Sequence, residues 1–281
     1  MILFSEYYKR RYGFRVFKIG LSTGIECPRR EMSEACVFCV KDTFMDNELL
    51  LQGSVTGQIN FLIQKLKSRV KAGGYIAYFQ DNTSLYGDIE YLYRLFEEAS
   101  NHLEILEVII STRPDCLSRD ILDKLCELKK PVTIEIGVQT VNDKSLSFLN
   151  RGHLQSDNQN ALDMLSEYKF RVGIHIILGI VGETYKDIDK TLLWINEHTI
   201  ISDVKIHHLA VFKGSRLSEI IKEDEIISLD EYLELLSYFL NNLREDVVIS
   251  RMFTSNLNRH KTMLNDFPGV KRDWMNRFRI L

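Results

Sequence analysis

Thr133-Ile134-Glu135-Ile136-Gly137-Val138-Gln139 is the stretch whose reading decides the fold. Its even positions are aliphatic and its odd positions are polar or small. Successive side chains of a strand point to opposite faces. One face therefore packs against helices, while the other carries a carboxylate, a glycine and an amide. Gly173 and His175 alternate with Ile174 and Ile176 in the same way. A doubly wound sheet buries both faces and reads as continuous apolar runs. Polar residues on one face of consecutive parallel strands instead predict a barrel lumen used for chemistry.

Outward from this stretch, β-rich runs recur at 16–21, 75–80, 107–111, 132–138, 172–178 and 203–211. Helical patterns lie between them at 55–71, 89–100, 119–128, 157–168 and 185–197, and Ser228 with Glu231 reads as a capping box opening a helix to about Leu243. Ser118 and Thr184 stand at N-cap positions. Six βα units in series predict an α/β chain folded as a partial (β/α)6 TIM-type barrel with a C-terminal helical extension. The expected domains are 1–250, the barrel, and 251–281, a basic and aromatic extension packed on it.

Sites in such folds form at the C-terminal ends of the strands. The first strand runs into Cys27, Cys36 and Cys39, spaced C-x8-C-x2-C. The second ends in Gln80-Asp81-Asn82-Thr83 and the third in Ser111-Thr112-Arg113. The fourth ends at Gln139, followed by Asn150-Arg151-Gly152-His153, and the fifth at Gly179 to Gly182; the sixth carries Lys205, His207 and His208. Glu135, on an otherwise apolar strand, needs a partner or a function, because an unpaired buried carboxylate is costly. Glu135, His175 and Lys205 are the candidate catalytic side chains.

Two readings of the three cysteines stay open on spacing alone. An iron–sulfur cube normally takes one thiolate per iron, so three leave one iron open for chemistry. A structural zinc needs a fourth ligand, for which Cys116, Cys126 and the histidines are candidates, none of them near in sequence. Five cysteines, an odd count, and an opening MILFSEYYKRRYG without a secretory core point to a reducing cytoplasm. No apolar run approaches the length of a membrane span.

The net charge of −3 conceals an asymmetry. Lys9, Arg10, Arg11, Arg15 and Lys18 oppose only Glu6 at one end, and seven lysines and arginines oppose Asp266 and Asp273 in residues 251–281. Basic flanks on an acidic body suggest a polyanionic partner. Phe253, Phe267, Trp274 and Phe278 are interleaved with those cations, as aromatics that stack unpaired bases would be. Lys9, Arg10, Arg11, Arg272 and Trp274 are the candidate nucleic-acid contacts, and packing over the barrel is the other reading of the aromatics.

Taken in order, KIGLSTGIECPRR with CVFC, YIAYFQDNTSLY, STRPDCL, EIGVQT, LNRGH, HIILGIVGET and KIHHLAVFKGSRL resemble the radical S-adenosylmethionine superfamily. The nearest resemblance is to the YhcC/YtqA-like family, related to the elongator catalytic subunit, over roughly residues 8–252. The resemblance implies a [4Fe–4S] cluster on Cys27, Cys36 and Cys39, and reductive cleavage of S-adenosylmethionine to a 5′-deoxyadenosyl radical. It implies that Gln139 and Arg151 contact the cofactor's ribose and carboxylate, with Arg113 beside them. Gln80, Asp81, Asn82 and Thr83 would take its amino group, and Gly179 and Gly182 would pass beside the adenine. An electron donor such as flavodoxin or ferredoxin is implied as well.

Relatives with this barrel act on tRNA wobble uridines, and family members have been linked to a carboxymethylaminomethyl group there, which makes tRNA the leading substrate. A small molecule or peptide is the alternative within the enzyme class, and a zinc-stabilised RNA-binding module the alternative outside it. Three departures stand out: Arg29-Arg30-Glu31-Met32 replaces the usual Asn-Arg-Asp-Gly, Glu34-Ala35 replaces Gly-Gly, and Ile180-Val181-Gly182 replaces Leu-Pro-Gly.

Overall fold

Six strands of a computed structural model fall where the alternation placed them, and two more extend the sheet. The structure describes residues 1–32, 34–40, 47–254, 264, 265 and 267. The strands are β1 (Ile2–Leu3), β2 (Val16–Leu21), β3 (Gly74–Phe79), β4 (Ile105–Thr112), β5 (Val132–Gln139), β6 (Arg171–Leu178), β7 (Ile201–His208) and β8 (Val248–Arg251). They pair in the order β1-β8-β7-β6-β5-β4-β3-β2, every pair parallel, so β1 and β2 are the edges of a curled, open half-barrel. The helices are α1 (Phe4–Tyr12), α2 (Pro28–Glu31), α3 (Asn47–Leu50), α4 (Val55–Lys67), α5 (Ile89–Asn101), α6 (Arg119–Leu125), α7 (Asp143–Phe148), α8 (Gln155–Ser166), α9 (Tyr185–Glu197), α10 (Leu217–Ile220) and α11 (Leu229–Asn242).

Strand parity holds across the sheet. Ile134, Ile136, Ile174 and Ile176 are buried in one core with Leu122, Leu162, Ile195 and Phe239 from the outer helices. At roughly 25 cal/mol per Å² of apolar surface removed from water, this outer layer is the main stabilising term. Capping follows the sequence in part. Ser228 Oγ accepts from Glu231 N at 3.3 Å, while Glu231 Oε2 accepts from Ser228 N at 2.8 Å. Thr184 N donates to Asp187 Oδ2 at 3.1 Å. Ser118 occupies its N-cap position, but its hydroxyl makes no capping bond.

β1, α1 and β8 escaped the sequence reading. Two- and four-residue strands carry too few alternations to register, and α1 opens a chain whose charges look like a solvated tail. Yet Tyr8 of α1 is 1% exposed. With Val16, Ile76, Tyr78 and Ile109 it fills the lumen at the N-terminal ends of the strands. Tyr8 and Tyr12 donate to Glu107 at 3.0 and 2.6 Å. α1 covers the lumen at that end, and the cavity lined by the cysteines opens at the other. Among the described residues no helix is long and apolar enough to cross a membrane.

Of the expected C-terminal extension, Leu264, Asn265 and Phe267 lie against the barrel: Asn265 Oδ1 accepts from Val211 N at 3.0 Å and its Nδ2 donates to Leu209 O at 2.8 Å. Phe253 and Phe267 belong to the core, with the Phe267 ring 4.6 Å from that of His208. Both are spent on packing and present no free face to a base.

Candidate functional site

The polar face of the sheet converges on Glu135. Its carboxylate is 2% exposed and accepts from Lys18 Nζ at 3.0 Å, the Tyr78 hydroxyl at 2.8 Å and His175 Nε2 at 2.7 Å. Ser111 Oγ lies 3.4 Å from it and donates to the Tyr78 oxygen at 3.0 Å. Lys205 Nζ donates to the same Tyr78 hydroxyl and stands 3.9 Å from Glu135 Oε2. Burial alone would raise the Glu135 carboxyl, but Lys18, Lys205 and His175 outweigh it and hold the group well below the usual carboxylate range. Burial pulls His175 down to about 4, and it pulls the Lys205 ammonium well below its ordinary value with help from Arg251.

Above this node lies a cavity of about 220 Å³. Cys27, Cys36 and Cys39 line one side of it, and His175, Lys205, His207 and Arg251 line another. Gln80, Asp81, Asn82, Arg113, Gln139 and Arg151 line it as well. Segments scattered over the chain therefore share one space at the strands' C-terminal ends.

The cysteine loop is held from several directions. Cys27 caps α2, with Pro28 at its first helical position. Cys39 N donates to Cys36 O at 3.0 Å, closing a tight turn. Val37 bridges two neighbours: its N–H reaches Leu149 O at 3.1 Å and its carbonyl accepts from Leu217 N at 2.7 Å. The departures from the family pattern act here. Arg29 donates to Glu34 at 2.5 Å and to Asn150 Oδ1 at 3.1 Å. Its guanidinium lies so close to Gly152, at φ +69°, that a Cβ there would come within 2.4 Å of it. Arg30 Nη2 donates to Cys39 Sγ at 2.8 Å and to Val40 O at 3.1 Å.

Three thiols line one cavity, the number that would hold a cube and leave one iron open. A cube takes each thiolate at a different corner. Arg151 Nη1 donates to Cys36 Sγ at 3.4 Å. Arg113 Nε and Nη1 and Arg151 Nε are buried without an acceptor, so an anionic group in this cavity would satisfy them.

Not every expected ligand faces the cavity. Thr83 is fully buried and bonds Thr112 Oγ1 at 3.0 Å and Arg113 N at 3.2 Å, tying two strand ends together. Asp81 lines the cavity, but its carboxylate accepts from Ser22 Oγ and, at 3.4 Å, from Thr23 N. Asn82 Nδ2 donates to Ile25 O at 3.0 Å. Gly179 and Gly182 have positive φ and do not line the cavity, and a Cβ on Gly179 would come within 2.4 Å of Ile227. Glu135 lies beneath the floor rather than in it. Gln139, conversely, has φ +70°, where β5 loses its regular register with β6. A non-glycine residue held there is in a sparsely populated backbone region.

The candidate nucleic-acid residues are not brought to this mouth. Lys9, Arg10 and Arg11 sit on α1 at the opposite end, where Arg10 pairs with Glu6 at 2.5 Å and Arg11 with Glu107 at 3.0 Å. Arg272 and Trp274 lie outside the described residues. Sequence reasoning read Tyr78 only as one of the polar groups at its strand's end, not as the hub of the lumen, and missed Arg251, at the end of an unforeseen strand. Tyr78 was visible as a lumen-parity residue of its strand, whereas Arg251 had no comparable signal.

Comparison with known proteins agrees with this geometry. The family model described as "Radical SAM superfamily" matches residues 22–195, and the "Radical_SAM C-terminal domain" matches 201–281. Protein YhcC of Escherichia coli K12 is 31% identical over 254 residues, 88% of this chain and 81% of that protein. A tRNA uridine(34) acetyltransferase of Methanocaldococcus infernus is 27% identical over 160 residues, 55% of this chain and 29% of that one. Among solved structures, Methanocaldococcus infernus Elp3 lacking its N-terminus superimposes with a TM-score of 0.62 at 20% identity. That match covers 84% of this chain and 56% of that one.

Proposed function

This chain belongs to the radical SAM superfamily, and from that premise we propose that it binds a [4Fe–4S] cluster and S-adenosylmethionine in the cavity and modifies a tRNA uridine. The observation that supports the reading most strongly is the gathering of Cys27, Cys36 and Cys39 around one space with buried guanidinium N–H groups that have no acceptor. When bound, the cluster and cofactor supply a 5′-deoxyadenosyl radical by one-electron cleavage, the electron coming from an external donor protein.

The chain's own residues would position and shield that chemistry. Arg113 and Arg151 offer N–H groups to the cofactor's carboxylate, and Gln139 offers its amide from a fixed, strained backbone. Asp81 and Thr83 act through others: they fasten the Thr23 and Arg113 segments. Phe38, Ile177, Leu209 and Phe212 form apolar lining that keeps water away. His175 and Lys205 face the reacting space, with Glu135 orienting His175 from below. The tRNA substrate is supported by the named activity of the uridine(34) acetyltransferase relative.

Two measurements test the reading. Anaerobically reconstituted protein should bind iron and sulfide and form 5′-deoxyadenosine with a reductant, and Cys36→Ala should do neither. Nucleoside mass spectrometry of tRNA from a deletion strain should show a changed uridine derivative. An unchanged nucleoside profile would remove tRNA as the substrate.

A further inference from the structure

Two cations on β7 and β8 line the cavity; Lys205 reaches only the shared Glu135 carboxylate, at 3.9 Å, and Arg251 pairs with none among the described residues. Lys205 and Arg251 are register partners on these parallel strands, and both line the cavity. Lys205 is 6% exposed. Its Nζ meets the Tyr78 hydroxyl, and Glu135 Oε2 stays 3.9 Å away. That carboxylate is already engaged by Lys18, Tyr78 and His175. Arg251 has no ion pair or side-chain hydrogen bond among the described residues. Like charges side by side in a desolvated site are unfavourable unless an anion lies between them.

The cofactor's own carboxylate has a separate place. Arg113 and Arg151 stand on the loops after β4 and β5, with Arg151 reaching Cys36, whereas Lys205 and Arg251 are carried by β7 and β8 themselves. The cavity therefore has a second pair of cationic side chains besides the one beside the cysteines. We infer that Lys205 and Arg251 form a subsite for a carboxylate carried by the substrate. The inference rests on the proposed radical chemistry only in calling the occupant a substrate. A guanidinium takes a planar carboxylate through paired N–H bonds, the Lys205 ammonium supplies a further donor, and the Thr254 hydroxyl lies on the same wall. Burial and the neighbouring Arg251 depress the Lys205 ammonium, and a bound anion would restore it.

The test uses trifluoroacetate as a carboxylate probe, observed by fluorine NMR on reconstituted protein saturated with S-adenosylhomocysteine, which fills the cofactor end. Line broadening is expected with trifluoroacetate and not with neutral trifluoroacetamide. Arg251→Gln should weaken binding about tenfold or more, as loss of a charge-assisted contact does, and Arg251→Lys should recover part of it. Lys205→Met should weaken it similarly, with circular dichroism melting confirming a folded variant; should it not fold, the Arg251 pair decides the matter. Equal binding of the amide, or wild-type affinity in Arg251→Gln, would overturn the subsite. Displacement by inorganic phosphate at equal concentration would assign a phosphoryl group instead and overturn the carboxylate. Iron content and S-adenosylhomocysteine affinity, measured on the same samples, report separately on the radical reading.

Discussion

Two carboxylates enter the lumen from neighbouring strands, Glu107 near the end that α1 covers and Glu135 beneath the cavity. Each is almost fully buried, bonded to tyrosine and paired with a cation. Glu107 takes Tyr8 at 3.0 Å, Tyr12 at 2.6 Å and Arg11 at 3.0 Å, all from α1. Glu135 takes Lys18, Tyr78 and His175 from three different strands. Burial with Glu107 pushes the Tyr12 phenol up to about 12. Two side chains around Glu135, His175 and Lys205, border the cysteine-lined cavity, whereas Glu107 and Arg11 border a separate pocket at the opposite end. The same local chemistry fastens α1 over the lumen in one place and floors the cysteine-lined cavity in the other. The difference lies in what the partners face.

That comparison breaks most visibly with Glu135→Gln. Removing one member of a buried ion pair leaves Lys18 uncompensated, so urea unfolding should show a loss of about 3–5 kcal/mol. Glu107→Gln should cost only about 1–2 kcal/mol, because the Arg11 side chain is 38% exposed and can turn to water. Equal losses would mean that the two nodes are equivalent.

Acid sharpens the contrast next. His175 is pulled down to about 4, below its ordinary 6.5, so between these values the unfolded chain binds the extra proton. Stability should therefore rise with pH across that window and fall as pH drops from 6.5 towards 4, by on the order of 3 kcal/mol for this group. The depressed Glu135 acts in the same sense at lower pH, losing its contribution as pH falls through its folded value. His175→Gln should flatten the slope between pH 6.5 and 4 in urea titrations, whereas Tyr8→Phe should leave it intact.

The smallest effect is expected at Gly137, above Glu135. An added Cβ would sit 3.0 Å from Gln139 Nε2 and 3.1 Å from Arg151 Nη2. Gly137→Ala should cost under about 1 kcal/mol in stability yet weaken S-adenosylmethionine binding in calorimetry. Unchanged cofactor affinity would separate Gln139 and Arg151 from the cofactor.

Much of this was legible beforehand, though unevenly. The six strands announced themselves as β-rich apolar runs, two of them with clear period-two alternation, and the cysteine loop by its spacing and its place after β2. Thr83 carried an equally plausible signal but turns its hydroxyl to Thr112 and Arg113, since a motif shows which residue types are near a strand end and not where each side chain points. β1 and β8 were too short to show periodicity, so Arg251 was hidden with them. Phe253 and Phe267 looked like stacking platforms because burial is invisible in a run of alternating aromatics and cations.

The amino-acid order by itself determined the parity of each strand, the half-barrel that parity requires, and the thiol spacing that suits a cube with an open corner. These are properties of neighbouring residues, set by backbone geometry and side-chain type. Only the tertiary structure decided that α1 covers one end, that Glu135 meets Lys18 across 117 positions, and that Lys205 and Arg251 stand together on the cavity wall. Such pairings depend on strand register and curvature, which bring distant side chains into one low-dielectric space where charge has to be matched.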